Sequence, residues 1–458
     1  MHLPHIHPHH PRRRGYELDM LNGPVMPKLL RFAVPLILSS VLQLTFNAAD
    51  VIVVGRFEGD AALAAVGAPG ALINLLVNLF LGLSVGANVV VARYRGAGDY
   101  RQTSLGVHTS MLLSLISGAG VGIFGFFLAG TFLAWMSTPA DVLPLATAYM
   151  RIYFLGMPAN MVYNFGAAIL RAIGDTRRPL TYLTVAGMVN VLLNLVFVAG
   201  LGMGVSGVAL ATITAQIISA VLVTLCLMRT DGSIHLDLKK LRLDRRMVVE
   251  ITKIGLPAGL QGIFFSFSNV VIQSTVNSFG TIATAGNTAA SNIESFIYVS
   301  MNAMYQAAIT FISQNVGAGR SDRISKITRA SLLAVTGIGL GMGMILLAFM
   351  KTFFQIYTDD PRVIASAAIR SRIIAPSYFL CGIMDVMVGV LRGMGASVAP
   401  MVVSVMGICV FRILWIVLIY PFNPTLDMLY LSYPISWIIT FVVHLVCYFV
   451  VRRKRFGI

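Results

Sequence analysis

Twelve apolar runs, most of them longer than the thickness of a bilayer requires, follow one another along this 458-residue chain with only short polar connections. A helix crosses the hydrocarbon with about 20 apolar residues, and lipid leaves unpaired backbone no partner, so such runs fold as helices. The runs read as 31–55, 61–92, 104–136, 142–170, 179–200, 204–228, 248–278, 281–315, 325–350, 363–391, 400–420 and 427–451. Only 11% of residues are charged, against about 25% in soluble domains, which excludes a water-soluble fold. The expected fold class is an all-α polytopic membrane protein with twelve transmembrane helices.

The formal net charge of +16 suggests an acidic partner until the 34 Lys and Arg are placed. Twenty-seven fall in the two tails, in the loops after spans 2, 4, 6, 8 and 10, or in the first few residues of the spans that follow them; the opposite loops hold three, Arg56, Lys351 and Arg362. Positive loops are retained in the cytoplasm, so the expected location is the cell (inner) membrane with both termini cytoplasmic. The charge is a topology label, with no basic domain to track nucleic acid. Cys226, Cys381, Cys409 and Cys447 lie in apolar runs with no metal-ligand spacing and read as small packed hydrophobes. Five histidines stand in the first ten residues, but a Pro-broken tail is a poor metal site and reads as disordered or as an expression tag. No HExxH, GxSxG or facing His/Asp set points to an enzyme, and no Walker A motif points to ATP. No cofactor is expected.

The two halves of the chain repeat one pattern. Pro35 and Asn47 in span 1 match Pro257 and Asn269 in span 7 at an offset of 222, and Gly96-Ala97-Gly98 matches Gly317-Ala318-Gly319 at 221. Leu170-Arg171-Ala172-Ile173-Gly174 matches Leu391-Arg392-Gly393-Met394-Gly395, and Pro179 matches Pro400, also at 221. Six spans per half make the repeats parallel, a design of transporters that rock two bundles around a midplane cavity. The expected division is an N-terminal tail (1–25), an N-lobe (26–228), a linker (229–247), a C-lobe (248–451) and a basic C-terminal tail (452–458).

The runs NAADVIVVGRFEGDAALAAVG, GANVVVARYRGAGD and LRAIGDTRRP, with the C-half partner LRGMG, resemble the multidrug and toxic compound extrusion (MATE) family over about residues 20–450. The resemblance implies a monomeric secondary-active antiporter of two six-helix lobes, embedded among membrane lipids. It would export hydrophobic or cationic organic compounds against H⁺ or Na⁺. It also implies a cation-coupling site of Asp50, Asn190, Asn194 and Thr212. The alternative within the same superfamily is a lipid or lipid-linked oligosaccharide flippase, which needs a strongly cationic cavity; few arginines are read inside the spans.

The residues support that site independently. Only three acids, Asp50, Glu294 and Asp385, fall well inside spans, where an ionisable group is costly and functional by default. Asn190 and Asn194 are four apart and share a helical face. The four oxygens suit Na⁺ or a protonated carboxyl. Some family members carry a second aspartate where Asn194 stands; its absence favours the proton. A C-lobe glutamate of other branches is missing around Phe264, Phe265 and Ser266, so Asp385 and Glu294 read as cavity-lining or weakly coupling groups, or as structural ones. Arg151 and its repeat partner Arg372 either snorkel to the interface or, for Arg151, tune Asp50. Tyr153, Met301, Tyr305 and Gln306 join the candidate cavity lining, with Pro35 and Pro257 as hinges.

Overall fold

The computed structural model describes residues 16–67, 69–136 and 138–457, and every regular element among them is helical. The histidines of the N-terminus lie outside the described residues. In the first half, α1 is Val25–Phe57, α2 is Gly59–Gly67 continued by Gly70–Gly96, and α3 is Tyr100–Trp135. Then α4 is Leu143–Leu155 with Met157–Ala172, α5 is Arg177–Asn194 extended by the π-helical turn Leu195–Gly200, and α6 is Gly204–Arg229. In the second half, α7 is Arg245–Asn277, α8 is Thr281–Gly317 and α9 is Ser321–Gln355. α10 runs as Pro361–Ile374 and Tyr378–Gly393 around a 3-10 turn, α11 as Val398–Ser404 and on through π-helical turns to Leu414 and Ile419, and α12 is Leu426–Phe456. Ten of these are long and apolar enough to span a membrane by composition alone. The other two are α4, broken at Gly156, and α8, whose Ser, Thr and Asn side chains dilute its apolar residues.

Polar residues set the helix ends. Asp99, Asp244, Asp360 and Thr425 accept the first free backbone N–H groups of α3, α7, α10 and α12, as N-caps do. The Arg362 side chain and backbone N–H also hold the Asp360 carboxyl below the usual carboxylate range. At the other ends the repeated motifs have a shared cause. Gly98 and Gly319 close α2 and α8, and Gly174 and Gly395 close α4 and α10, all with φ between 67° and 90°. Only glycine adopts that conformation without strain.

Proline divides into two uses. Pro69, Pro158 and Pro376 sit at interruptions of α2, α4 and α10, whereas α1 and α7 stay helical through Pro35 and Pro257. Both continuous helices change partners near their proline. The first half of α1 packs on α8 of the other repeat, with Phe32 edge-on to Phe311 at 5.7 Å and Ala33 and Leu36 in the C-lobe core. Its second half packs on α5, where Phe46 fills the space over Gly187.

α7 mirrors this arrangement. Its start packs on α2 through Gly255 and Gly259, which meet Gly82 and Leu79 backbone to backbone, while Gly86 meets the carbonyl of Ile251. Small residues four apart let membrane helices approach this closely. α2 and α8 then cross at Gly96 and Gly317: a Cβ on Gly96 would run into the carbonyl oxygen of Gln314, and one on Gly317 into that of Arg93. Gln314 and Arg93 are themselves repeat-related, so this contact obeys the pseudo-twofold.

All these inter-repeat contacts lie toward one end of the bundle, and that end also carries both termini. There Glu17 pairs with Arg95 at 3.0 Å and Asn315 donates to the Met20 carbonyl at 3.1 Å. Arg455 donates to the Met394 carbonyl at 2.6 Å, and the Tyr94 hydroxyl reaches both Glu250 oxygens across the repeats at 3.0 Å. His108 and His444 serve the same framework. His108 holds the linker by accepting the Asp237 N–H at 3.1 Å, and His444 lies 3.3 Å from the Pro400 carbonyl.

Candidate functional site

The N-lobe site is built where α1, α4 and α5 meet. Asp50 is half-buried on α1, and Asn190 and Asn194 are buried on α5, 5% and 0% exposed. The Asn194 amide donates a hydrogen bond to Asp50 Oδ1 and lies 3.4 Å from Asn190 Oδ1. α5 leaves α-helical geometry immediately after Asn194, at the π-helical turn Leu195–Gly200; such turns recur at functional sites. Asn194 Oδ1 is buried with no donor among the described residues. A buried acceptor beside a carboxylate is a place for a proton or a cation.

Other predicted members are arranged differently. Thr212 donates back to the Val208 carbonyl of its own helix at 3.0 Å. Tyr153 stacks on Tyr149 with centroids 6.1 Å apart, and both lie within electrostatic reach of Asp50. Arg151 is exposed, its guanidinium 5.7 Å from the Phe126 ring centroid.

In the C-lobe, α7, α8, α10, α11 and α12, with Asn78 of α2, line an open cavity of about 590 Å³, within the usual range for drug-sized ligands. Glu294 and Asp385 line it, as do Phe265, Ser266, Tyr298 and Arg370. Glu294, 1% exposed, accepts from Arg370 at 2.7 and 3.0 Å. Arg370 also donates to Asn287 at 2.8 Å, and Tyr430 donates to that same oxygen at 3.0 Å. Arg372, the arginine singled out by the repeat, is exposed. Two residues along a helix is about 200° of rotation, and Arg370 holds the inward position.

The remaining predicted cavity residues split between packing and bracing. Met301, 1% exposed, fills the space beside Gly339 and Gly382. Tyr305 accepts a 2.7 Å hydrogen bond from Arg392, which also donates to Gln261 at 2.7 Å, tying α7, α8 and α10 together. The Gln306 carbonyl accepts from Thr310, whose hydroxyl meets Asn88 of α2 at 3.0 Å. Phe264 and Phe267 are 43% and 59% exposed.

Sequence reasoning found few arginines inside the spans. Among the described residues the fold buries four in the C-lobe: Arg323, Arg370, Arg392 and Arg412, 8%, 8%, 5% and 4% exposed. The signal was present in α11, where Arg412 interrupts an otherwise apolar run.

The Glu294–Arg370 pair supports a stability prediction. Arg370→Met leaves a buried carboxylate without its cation, which costs about 3–5 kcal/mol. A Glu294→Leu/Arg370→Met double variant removes both charges and is expected to regain most of that loss. Thermal unfolding in detergent checks both; a double variant as unstable as the single one contradicts it.

Two repeated six-helix units, polar groups buried at their centres and a cavity between helices define a multi-pass membrane transporter. The MatE family model matches residues 35–196 and again 257–418, and the chain belongs to that family. It is 28% identical over 405 residues to "Probable multidrug resistance protein YpnP" of Bacillus subtilis, covering 88% of this chain and 89% of that one. It is 22% identical over 392 residues to "FAD transporter" of Shewanella oneidensis, covering 84% and 86%. Its fold matches a solved structure described as the outward-facing conformation of a multidrug resistance MATE family transporter. The TM-score is 0.87 at 21% identity, over 96% of this chain and 98% of that one.

Proposed function

We propose that the protein is a secondary-active multidrug exporter with both termini in the cytoplasm, exchanging hydrophobic or cationic organic compounds for H⁺ or Na⁺, with Asp50 as the coupling carboxylate. The observation that carries this reading is the Asp50–Asn194 pair with its donorless Asn194 Oδ1. One added proton or cation satisfies both residues; its departure leaves a charge that low-dielectric surroundings disfavour. Two such states on α1, the helix that packs on both repeats, link ion occupancy to the relation between the lobes. Asn190 and Asn194 supply the further oxygens. The name of the Bacillus subtilis relative, which aligns over 88% of this chain at 28% identity, supports drug efflux as the activity.

The test is uptake of a fluorescent organic cation into proteoliposomes under an imposed proton gradient, a sodium gradient or neither. Uptake driven by one gradient and absent without it is expected. Equal uptake in all three conditions overturns the antiport reading.

A further inference from the structure

The C-lobe cavity presents four charged side chains, and only two of them are matched. Arg370 is neutralised by Glu294 and held by Asn287. Arg412 on α11 is 96% buried, as its 4% exposure states, and lines the same cavity. Its Nε donates to Ser436 at 3.1 Å, and its guanidinium carbon lies over Tyr433, 4.0 Å from the ring centroid. Trp437 stands beside it at 5.7 Å. Among the described residues no carboxylate comes within 4.0 Å of it, and neither terminal nitrogen donates to a protein atom.

A buried guanidinium without a counter-anion is costly in an apolar bundle. The ring stack and Ser436 fix its plane without consuming its charge. What remains free is the forked pair of N–H groups, the geometry that matches a carboxylate or phosphate through two parallel hydrogen bonds. Around that fork the cavity is aromatic, with Phe265, Tyr298 and Tyr378 on its walls. The repeat sharpens the contrast between lobes. At the offset of 221, Arg412 corresponds to Val191, next to Asn190, so equivalent helices present oxygens in one lobe and a bare cation in the other.

We propose that Arg412 anchors the anionic group of an aromatic organic substrate, so that the C-lobe cavity takes aromatic oxyanions in addition to hydrophobic and cationic compounds. The proposal rests on the transporter reading only for the direction of movement; binding itself needs no gradient. Asp385 lines the same cavity and sets a second pole, where a cationic substituent on the same molecule is accommodated.

The experiment is equilibrium binding in nanodiscs of phosphatidylcholine alone, so that no anionic lipid competes. The probes are 1-naphthoate, its neutral amide and 1-naphthylmethylammonium. The intact protein is expected to bind the carboxylate about tenfold or more tightly than the amide, the factor appropriate to a charge-assisted hydrogen bond. Arg412→Gln brings that ratio to about one while binding of the ammonium probe persists, and Arg412→Lys keeps part of the preference. Ser436→Ala, which frees the guanidinium without removing it, lowers the ratio less and covers the case of an Arg412 variant that does not fold. Equal affinity of the intact protein for carboxylate and amide overturns the proposal, as does a preference that survives Arg412→Gln. Neither result bears on gradient-driven uptake, so failure here and failure of the antiport reading are separable.

Discussion

Asp50→Asn is expected to abolish gradient-driven accumulation of exported substrate while leaving the protein folded. One charge crossing 100 mV supplies about 2.3 kcal/mol, and about 1.4 kcal/mol corresponds to a tenfold ratio. For a neutral substrate, a carrier coupled to one ion therefore sustains roughly a 50-fold gradient at 100 mV, and the uncoupled variant should fall to unity. Asparagine keeps the size of the side chain and an oxygen to accept the Asn194 amide hydrogen bond, so packing is retained. It cannot take up and release a proton or balance a sodium ion. Steady-state substrate ratios in proteoliposomes, with thermal melting alongside, check this. A 50-fold ratio sustained by Asp50→Asn would remove Asp50 from the coupling role.

Gly317→Ala is expected to reduce transport by about tenfold or more through a different route. The new methyl meets the Arg93 carbonyl of the opposite repeat. That carbonyl accepts the α2-terminating hydrogen bond from Ala97 at 2.9 Å. No side chain can swing aside, so the two repeats must separate at the end that carries the termini. Overpacking of this kind costs about 1–3 kcal/mol, enough to shift a two-state equilibrium by about 5- to 150-fold. Spin labels at positions 101 and 326 should move apart relative to the parent, while Gly337→Ala, where a methyl meets nothing within 4 Å, changes neither distance nor transport. Unaltered label distances and full transport in Gly317→Ala would show that this contact does not gate the molecule.

The repeat was legible because its landmarks are backbone devices. The Gly96-Ala97-Gly98 and Gly317-Ala318-Gly319 motifs each combine a close crossing of two helices with a positive-φ helix end. Any substitution at either function is strained, so glycine marks the sequence wherever the geometry recurs. Asn190 and Asn194 were legible for a similar reason, because a four-residue spacing fixes a shared helical face. The C-lobe resisted the same approach. Which of Arg370 and Arg372 faces inward depends on the rotation of the first segment of α10, Pro361–Ile374, ahead of its break at Pro376, and a local pattern does not encode that angle. The interrupted α10 and the flanking π turns of α11 shift the helical phase, so Glu294 meets Arg370 and Arg412 meets only Ser436 and aromatic rings.

By itself, the amino-acid sequence determined the number of crossings, the side of the loops that carries positive charge, the twofold repeat and the acid in span 1. Each follows from hydropathy, charge or backbone geometry acting over a few residues. The tertiary structure alone decided how α1 and α7 divide their contacts between repeats, where the repeats cross backbone to backbone, and which buried charges are paired. Those outcomes depend on rotations and approaches of helices distant in the chain, where a small difference in packing decides whether a buried charge finds its partner or faces a cavity.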